Sequence, residues 1–251
     1  MTTTGAASGP STAERLALVR VDDLGCPDPV GDELVLELCR AGLVVSCGVV
    51  PAWLSPECVR SLREIAEAFP GQVEVHQHGF QHTNHGGMRR KFEFGAIRAL
   101  ADQETELLRG REILEAAFGP LFFPAFSPPF GGFDEEVTGL LAGLGYAAVS
   151  GIEGGFRPGQ IPEFATDVDC FRWNPRRERP WDEVTLEWER KSAEASFTGI
   201  LLHPRFMSPA SAVEAAVRLP SLMSGRRTVG FTTLVGYLGP RLGPDADVNT
   251  C

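Results

Sequence analysis

Apolar residues recur along this chain in two alternating rhythms. Short runs at 16–21, 43–50, 72–76, 121–126, 146–150, 198–202 and 228–231 are the length of buried strands and are bounded by turn residues. Between them the spacing is helical: Leu34, Leu38 and Ala41 before Gly42, and Val59, Leu62, Ala66 and Phe69 after the start signal Ser55-Pro56. Further helices are predicted over 97–118, 134–144 and 182–196, with Ser208-Pro209 opening another. Strands alternating with helices predict parallel βαβ units, and this many of them predict an α/β fold, a distorted (β/α) barrel of about seven strands. Residues 1–14 and 241–251 read as flexible tails around a single domain at 15–240.

Composition narrows the choice of partners. Of 251 residues, 33 are acidic and 23 basic, a formal charge of −10 that repels phosphate backbones and anionic lipid, so no nucleic-acid or membrane partner is expected. The most apolar stretch, 43–54, is interrupted by Ser46, Gly48 and Pro51 and falls short of the roughly 20 residues that span a bilayer. The first 13 residues carry no Lys, Arg or apolar block, and the six cysteines form no Cys-x-x-Cys pair. A cytoplasmic protein is the expectation, and a homo-oligomer is compatible with it.

In a (β/α) barrel, polar residues just past the C-terminal strand ends share one mouth. Here those are Asp22-Asp23, then His76, His78 and His82, then Ser127-Pro128-Pro129, then Asp169, then His203. Four of the five histidines (His76, His78, His82, His85) fall in one ten-residue window. Clustered imidazoles after a strand point to a transition metal, and a His-x-x-x-His spacing puts His78 and His82 on one face of a tight turn. Asp23 supplies a third ligand, while its neighbour Asp22 is left as a base to take a proton from water. His203, opposite, suits a general acid, and the backbone N–H groups of the 127–132 loop suit an oxyanion. Each feature alone also has a plain structural role, as turn, cap or packing residue.

The ordered set Asp22-Asp23-Leu24-Gly25, His78-Gly79-Phe80-Gln81-His82, Pro128-Pro129-Phe130-Gly131, Asp169-Cys170-Phe171-Arg172-Trp173 and Leu201-Leu202-His203 resembles the motifs of the polysaccharide deacetylases, the NodB-homology or carbohydrate esterase family 4 group. The resemblance runs from about residue 16 to 238. It implies a zinc ion, or another divalent metal such as cobalt, nickel or manganese, on Asp23, His78 and His82, with Asp22 as catalytic base and His203 as catalytic acid. It further implies that Pro129, the Phe130 N–H, Leu201 and Trp173 line the substrate and oxyanion site, and that Asp169 and Trp173 support His203. The family's third motif usually begins with an arginine that pairs with the base; here that position is Ser127, and Arg172 and Arg205 are the candidate substitutes.

The activity so implied is metal-dependent hydrolysis of an N-acyl group, most simply the N-acetyl group of an amino sugar or a small metabolite or glycoside containing one. Alternatives are an allantoinase-like amide hydrolase of the same fold, an amidohydrolase barrel using His76-Gln77-His78 as its His-x-His pair, and a degenerate binding protein. The basic segment Arg89-Arg90-Lys91 beside Phe92 and Phe94 is a candidate anion-binding loop or lid. Trp53, Trp173, Trp181 and Trp188 are candidate sugar faces.

Overall fold

A computed structural model describes residues 14–87, 90–95, 97–152, 154–157 and 159–238. The two predicted tails lie mostly outside these residues, as does Arg89. The first half alternates regularly: β1 (Leu16–Leu24), α1 (Pro29–Arg40), β2 (Val45–Val49), α2 (Pro56–Ala68), β3 (Val73–His78), α3 (Leu100–Phe118), β4 (Phe122–Ser127), α4 (Glu135–Gly143) and β5 (Ala148–Val149). Short pieces follow: β6 (Phe156–Arg157), β7 (Glu163–Phe164), β8 (Val168–Asp169) and a hairpin of β9 (Phe171–Trp173) and β10 (Arg176–Glu178). Then come α5 (Trp181–Ser192), β11 (Phe197–Leu202), α6 (Pro209–Leu222), β12 (Arg227–Thr228) and α7 (Phe231–Leu238). Side-chain caps hold the helix starts: Asp28, Ser55, Asp134 and Ser208 each accept a first-turn amide.

The main sheet runs β6-β7-β5-β4-β3-β2-β1-β11-β8, with β12 also on β1, and every pairing except β6 with β7 is parallel. Residues 162–170 close the ring. They bond first to β5 (Val149 N to Pro162 O, Thr166 N to Gly151 O) and then to β11 (Asp167 N to Gly199 O, Cys170 N to Leu201 O). Gly199 permits this crossing, since a Cβ there would lie 2.5 Å from the Ala165 carbonyl oxygen. The predicted barrel of about seven staves is therefore present, its sixth stave being this irregular segment.

Strand alternation sorts side chains into two layers. Ala17, Val19 and Val21 of β1, Val45 and Cys47 of β2, and Val73 and Val75 of β3 face outward, into one core with Leu34, Leu62, Trp188 and Leu219 of the helices. Leu16, Leu18, Ala125, Ala148, Phe164 and Phe197 face inward and form an apolar floor with Phe231 and Leu234. Above that floor the interior turns polar, with Arg20, Ser46, His76 and Thr198 all buried.

Several boundaries differ from those expected: α3 starts at Leu100 and α5 ends at Ser192, and two further differences bear on the site. The 228–231 run is not a strand throughout, because Phe231 begins α7, whose first amides are held by Glu74 from β3 (Phe231 N 2.5 Å, Thr232 N 3.0 Å). β3 also runs two residues further than predicted, so His78 lies on the strand itself. No helix among the described residues is long and apolar enough to cross a membrane. The five described cysteines are free thiols.

Candidate active site

The site begins with an interruption in β1. Alternation would send Asp22 and Asp23 to opposite faces, but the pairing with β2 shifts register between Val21 and Leu24, and Asp23 takes φ 65°. Both carboxylates thereby join the same group of histidines: Asp22 meets His76 and His78, and Asp23 meets His78 and His82. Gly48 of β2 makes room, because a Cβ there would stand 2.3 Å from Asp22 Oδ1.

Among the described residues only three backbones other than glycine have positive φ: Asp23, His82 (58°) and Phe130 (63°). All three are at the mouth, where a strained conformation is held for function more often than for packing.

Asp23 Oδ1 lies 3.3 Å from His78 Nε2 and 3.0 Å from His82 Nε2. Three donors on a tetrahedral zinc at bonds of about 2.0–2.1 Å stand about 3.3 Å apart, so the spacing fits such an ion. Asp23 Oδ1 is buried without a hydrogen-bond donor, as a ligand oxygen would be. The other nitrogen of His78, Nδ1, is held by Ser127 (Oγ 2.8 Å, O 3.1 Å), which leaves Nε2 for coordination. His82 rides on a loop wound round a buried carboxylate: Glu93 accepts the amides of Phe80 (3.1 Å), Gln81 (2.7 Å) and Thr83 (3.4 Å). The Phe130 and Trp53 rings flank His82, at 4.6 and 5.4 Å between centroids.

The four-histidine window divides. His85 is exposed and stands apart, and His76 Nε2 bonds Ser127 Oγ (3.0 Å) inside the barrel. Burial pushes the His76 imidazole down to about 3 although Asp22 opposes this, so it is neutral. His76 lies outside the group formed by Asp23, His78 and His82, so the His-x-His pair that an amidohydrolase barrel would use is not assembled.

The cation that pairs with Asp22 comes from its own strand. Arg20 Nη2 stands 3.1 Å from Asp22 Oδ2, with both side chains almost fully buried. Its Nη1 donates to Ser150 O and Oγ, both at 2.6 Å. Burial alone would raise the Asp22 carboxyl, but Arg20, then His78, His76 and His203, overcome this and hold it ionised below the usual range. Neither expected substitute is there: Arg172 pairs with Glu183, and Arg205 stacks over the Trp53 ring at 4.9 Å. The overlooked signal was an arginine two residues before Asp22 on a strand, a spacing that puts both on one face.

Burial also opposes ionisation of Asp23, yet the adjoining His78 and His82 imidazoles bring it far below the usual carboxylate range. His78 is raised, since Asp22 and Asp23 outweigh its burial.

On the facing side, His203 follows β11, with Nδ1 3.5 Å from Asp169 Oδ1. Asp169 is itself fixed by Phe171 N (2.8 Å) and Trp173 Nε1 (2.9 Å), and the Trp173 ring meets His203 edge-on at 5.2 Å. Leu201 is buried at the end of β11, and Pro129 and Phe130 form a tight turn above β4. Of the four tryptophans, Trp53 and Trp173 are at the mouth, whereas Trp181 and Trp188 belong to the outer core.

No protein-family model matches the chain, and no curated protein sequence does. Solved structures do. A protein designated a polysaccharide deacetylase from Mycobacterium smegmatis superposes with TM-score 0.66 at 15% identity, over 95% of each chain. A family 4 acetyl xylan esterase from Clostridium thermocellum, in complex with a cobalt ion, gives 0.60 at 14% identity, over 90% of this chain and 92% of that one. A CE4 family pseudoenzyme from Bacillus anthracis gives 0.58 at 16%, over 89% of this chain and 66% of its own. The fold is thus that of the polysaccharide deacetylases and family 4 carbohydrate esterases.

Proposed function

We propose that this chain, built on the polysaccharide deacetylase fold, is a divalent-metal-dependent hydrolase that removes an N-acyl group, most simply N-acetyl, from an amino sugar or a small metabolite containing one. One observation carries the reading: a closed set of one carboxylate and two imidazoles lies beside a second carboxylate kept ionised by its own arginine. A hydrolase needs a base not spent on the metal, and Asp22 is the ionised acid left over for that role. The neighbour with cobalt on the same fold supports a metal, and those named as deacetylases or esterases support acyl transfer to water.

Asp23, His78 and His82 would hold the ion, whose chemistry when bound is to polarise a carbonyl and acidify water. Asp22 takes the proton of the attacking water, and Arg20 keeps its carboxylate oriented and charged. His203, steadied by Asp169 and Trp173, gives a proton to the departing nitrogen. One C–O bond forms and the C–N bond breaks, releasing a carboxylic acid and an amine. The Phe130 turn provides backbone for the oxyanion.

The test is acetate release from a panel of N-acetylated sugars, nucleotide sugars and glycoside metabolites, with chelator and with zinc restored. Asp22→Asn is expected to retain metal and lose turnover by at least about 100-fold, the scale of a lost general base. His78→Ala is expected to lose the metal. Normal turnover in Asp22→Asn, or turnover indifferent to chelation, refutes the reading.

A further inference from the structure

We infer that the ligand of this site carries an anionic group, a phosphate or carboxylate, beside its acyl amide, and that Lys91, Arg176 and Arg205 receive it. The inference rests on the hydrolase reading and narrows its substrate class. Three cations from three separate stretches of chain stand over aromatic rings at the mouth. Lys91 Nζ lies 6.0 Å from the Phe130 centroid, Arg205 4.9 Å from Trp53, and Arg176 4.9 Å from Phe206 and 5.7 Å from Trp173.

Those rings pack on the site's own histidines. Phe130 and Trp53 flank His82, and Trp173 and Phe206 lie 5.2 and 6.3 Å from His203. Each cation is therefore one aromatic ring removed from a proposed metal ligand or from the proposed acid.

Charge pairing sharpens the point. Acidic residues outnumber basic ones 33 to 23, and the neighbouring arginines of the same region are neutralised: Arg172 and Arg177 by Glu183, Arg179 by Glu187. Among the described residues, Lys91, Arg176 and Arg205 have no carboxylate partner, and all three are exposed. Stacking orders a cationic side chain without consuming its charge, so its N–H donors stay free for a ligand oxyanion. A neutral sugar needs the aromatic faces alone. Cations laid over those faces match a sugar bearing charge, and in an acidic molecule they mark where that charge is accepted.

The experiment compares N-acetylglucosamine with its 1-phosphate, its 6-phosphate and N-acetylmuramic acid. It measures acetate release by the zinc-loaded full chain, and binding by tryptophan fluorescence. The expected result is a kcat/KM at least about tenfold higher for one of the anionic sugars than for the neutral one, declining with ionic strength. The phosphate and carboxylate arms identify which oxyanion is preferred. In Arg176→Gln and in Lys91→Gln, each with zinc content and Tm unchanged, the anionic-to-neutral ratio falls about tenfold, and Arg176→Lys recovers part of it.

Equal turnover of neutral and anionic sugars, or a preference that survives the substitutions, overturns the inference while leaving the hydrolase reading intact. Binding of the anionic sugars that depends on these cations, without acetate release from any sugar, sustains the inference and removes the hydrolase reading. No binding and no release of any anionic sugar overturns the inference.

Discussion

At the scale of single residues, the charge on Asp22 depends on Arg20. A guanidinium and a carboxylate enclosed in a barrel are costly to desolvate and become costlier if one partner is removed. Arg20→Met is expected to cost about 3–5 kcal/mol, because Asp22 is then left charged and unpaired. Pairing it with Asp22→Asn should cost clearly less than the sum of the two single changes, as read in a double-mutant cycle of denaturant unfolding. Strict additivity would mean that the two groups are not coupled. This pair was hidden in the sequence because Arg20 sits inside an apolar run and reads as an ordinary strand position. Asp22, Asp23, His78, His82 and His203 were legible as candidates because the sequence gathers them at or just beyond the C-terminal ends of strands. What brings Asp22 and Asp23 into one group is not legible: the register shift and positive φ at Asp23 appear only once β2 is paired alongside.

At the scale of elements, β1 to β5 and their helices could be read from apolar rhythm and capping residues, whereas residues 152–178 could not. Strands of two or three residues carry too little periodicity to register, and their pairing is set by partners far along the chain. α7 was missed for a related reason. Its cap is not a preceding Ser or Asp but Glu74 from β3, more than 150 residues earlier, which also bonds Thr232 Oγ1 at 2.6 Å. Burial raises the Glu74 carboxyl despite these donors. Glu74→Ala should free the first amides of α7 and loosen the floor under Phe231, at a cost of about 2–3 kcal/mol in thermal unfolding. Hydrogen exchange should then quicken in α7 before the rest of the barrel. Unchanged exchange in α7 would show that the helix start does not depend on Glu74.

At the scale of the whole molecule, the barrel stacks an apolar floor, a buried polar middle and a mouth where Asp23, His78 and His82 gather, and the middle makes stability depend on pH. His76 is lowered from 6.5 to about 3 in the fold, so below 6.5 the unfolded chain takes up its proton first. Its contribution is therefore complete above pH 6.5 and is lost as pH falls toward 3. Asp22 and Asp23, both lowered, act in the same direction below the ordinary carboxylate range. In chelator, the Tm of His76→Gln should fall less steeply between pH 6.5 and 3 than that of the unaltered chain. A parallel decline would contradict a neutral, buried His76.

Asp23, His78 and His82 are proposed to form a single metal site. Metal analysis of the purified chain after zinc loading and dialysis tests it most directly, alongside Asp23→Ala, His78→Ala and His82→Ala. One zinc per chain is expected, coordinated through nitrogen and oxygen by X-ray absorption, and lost in all three variants. An unaltered chain that retains no zinc, or variants that retain it in full, would rule out a metal site on these three residues.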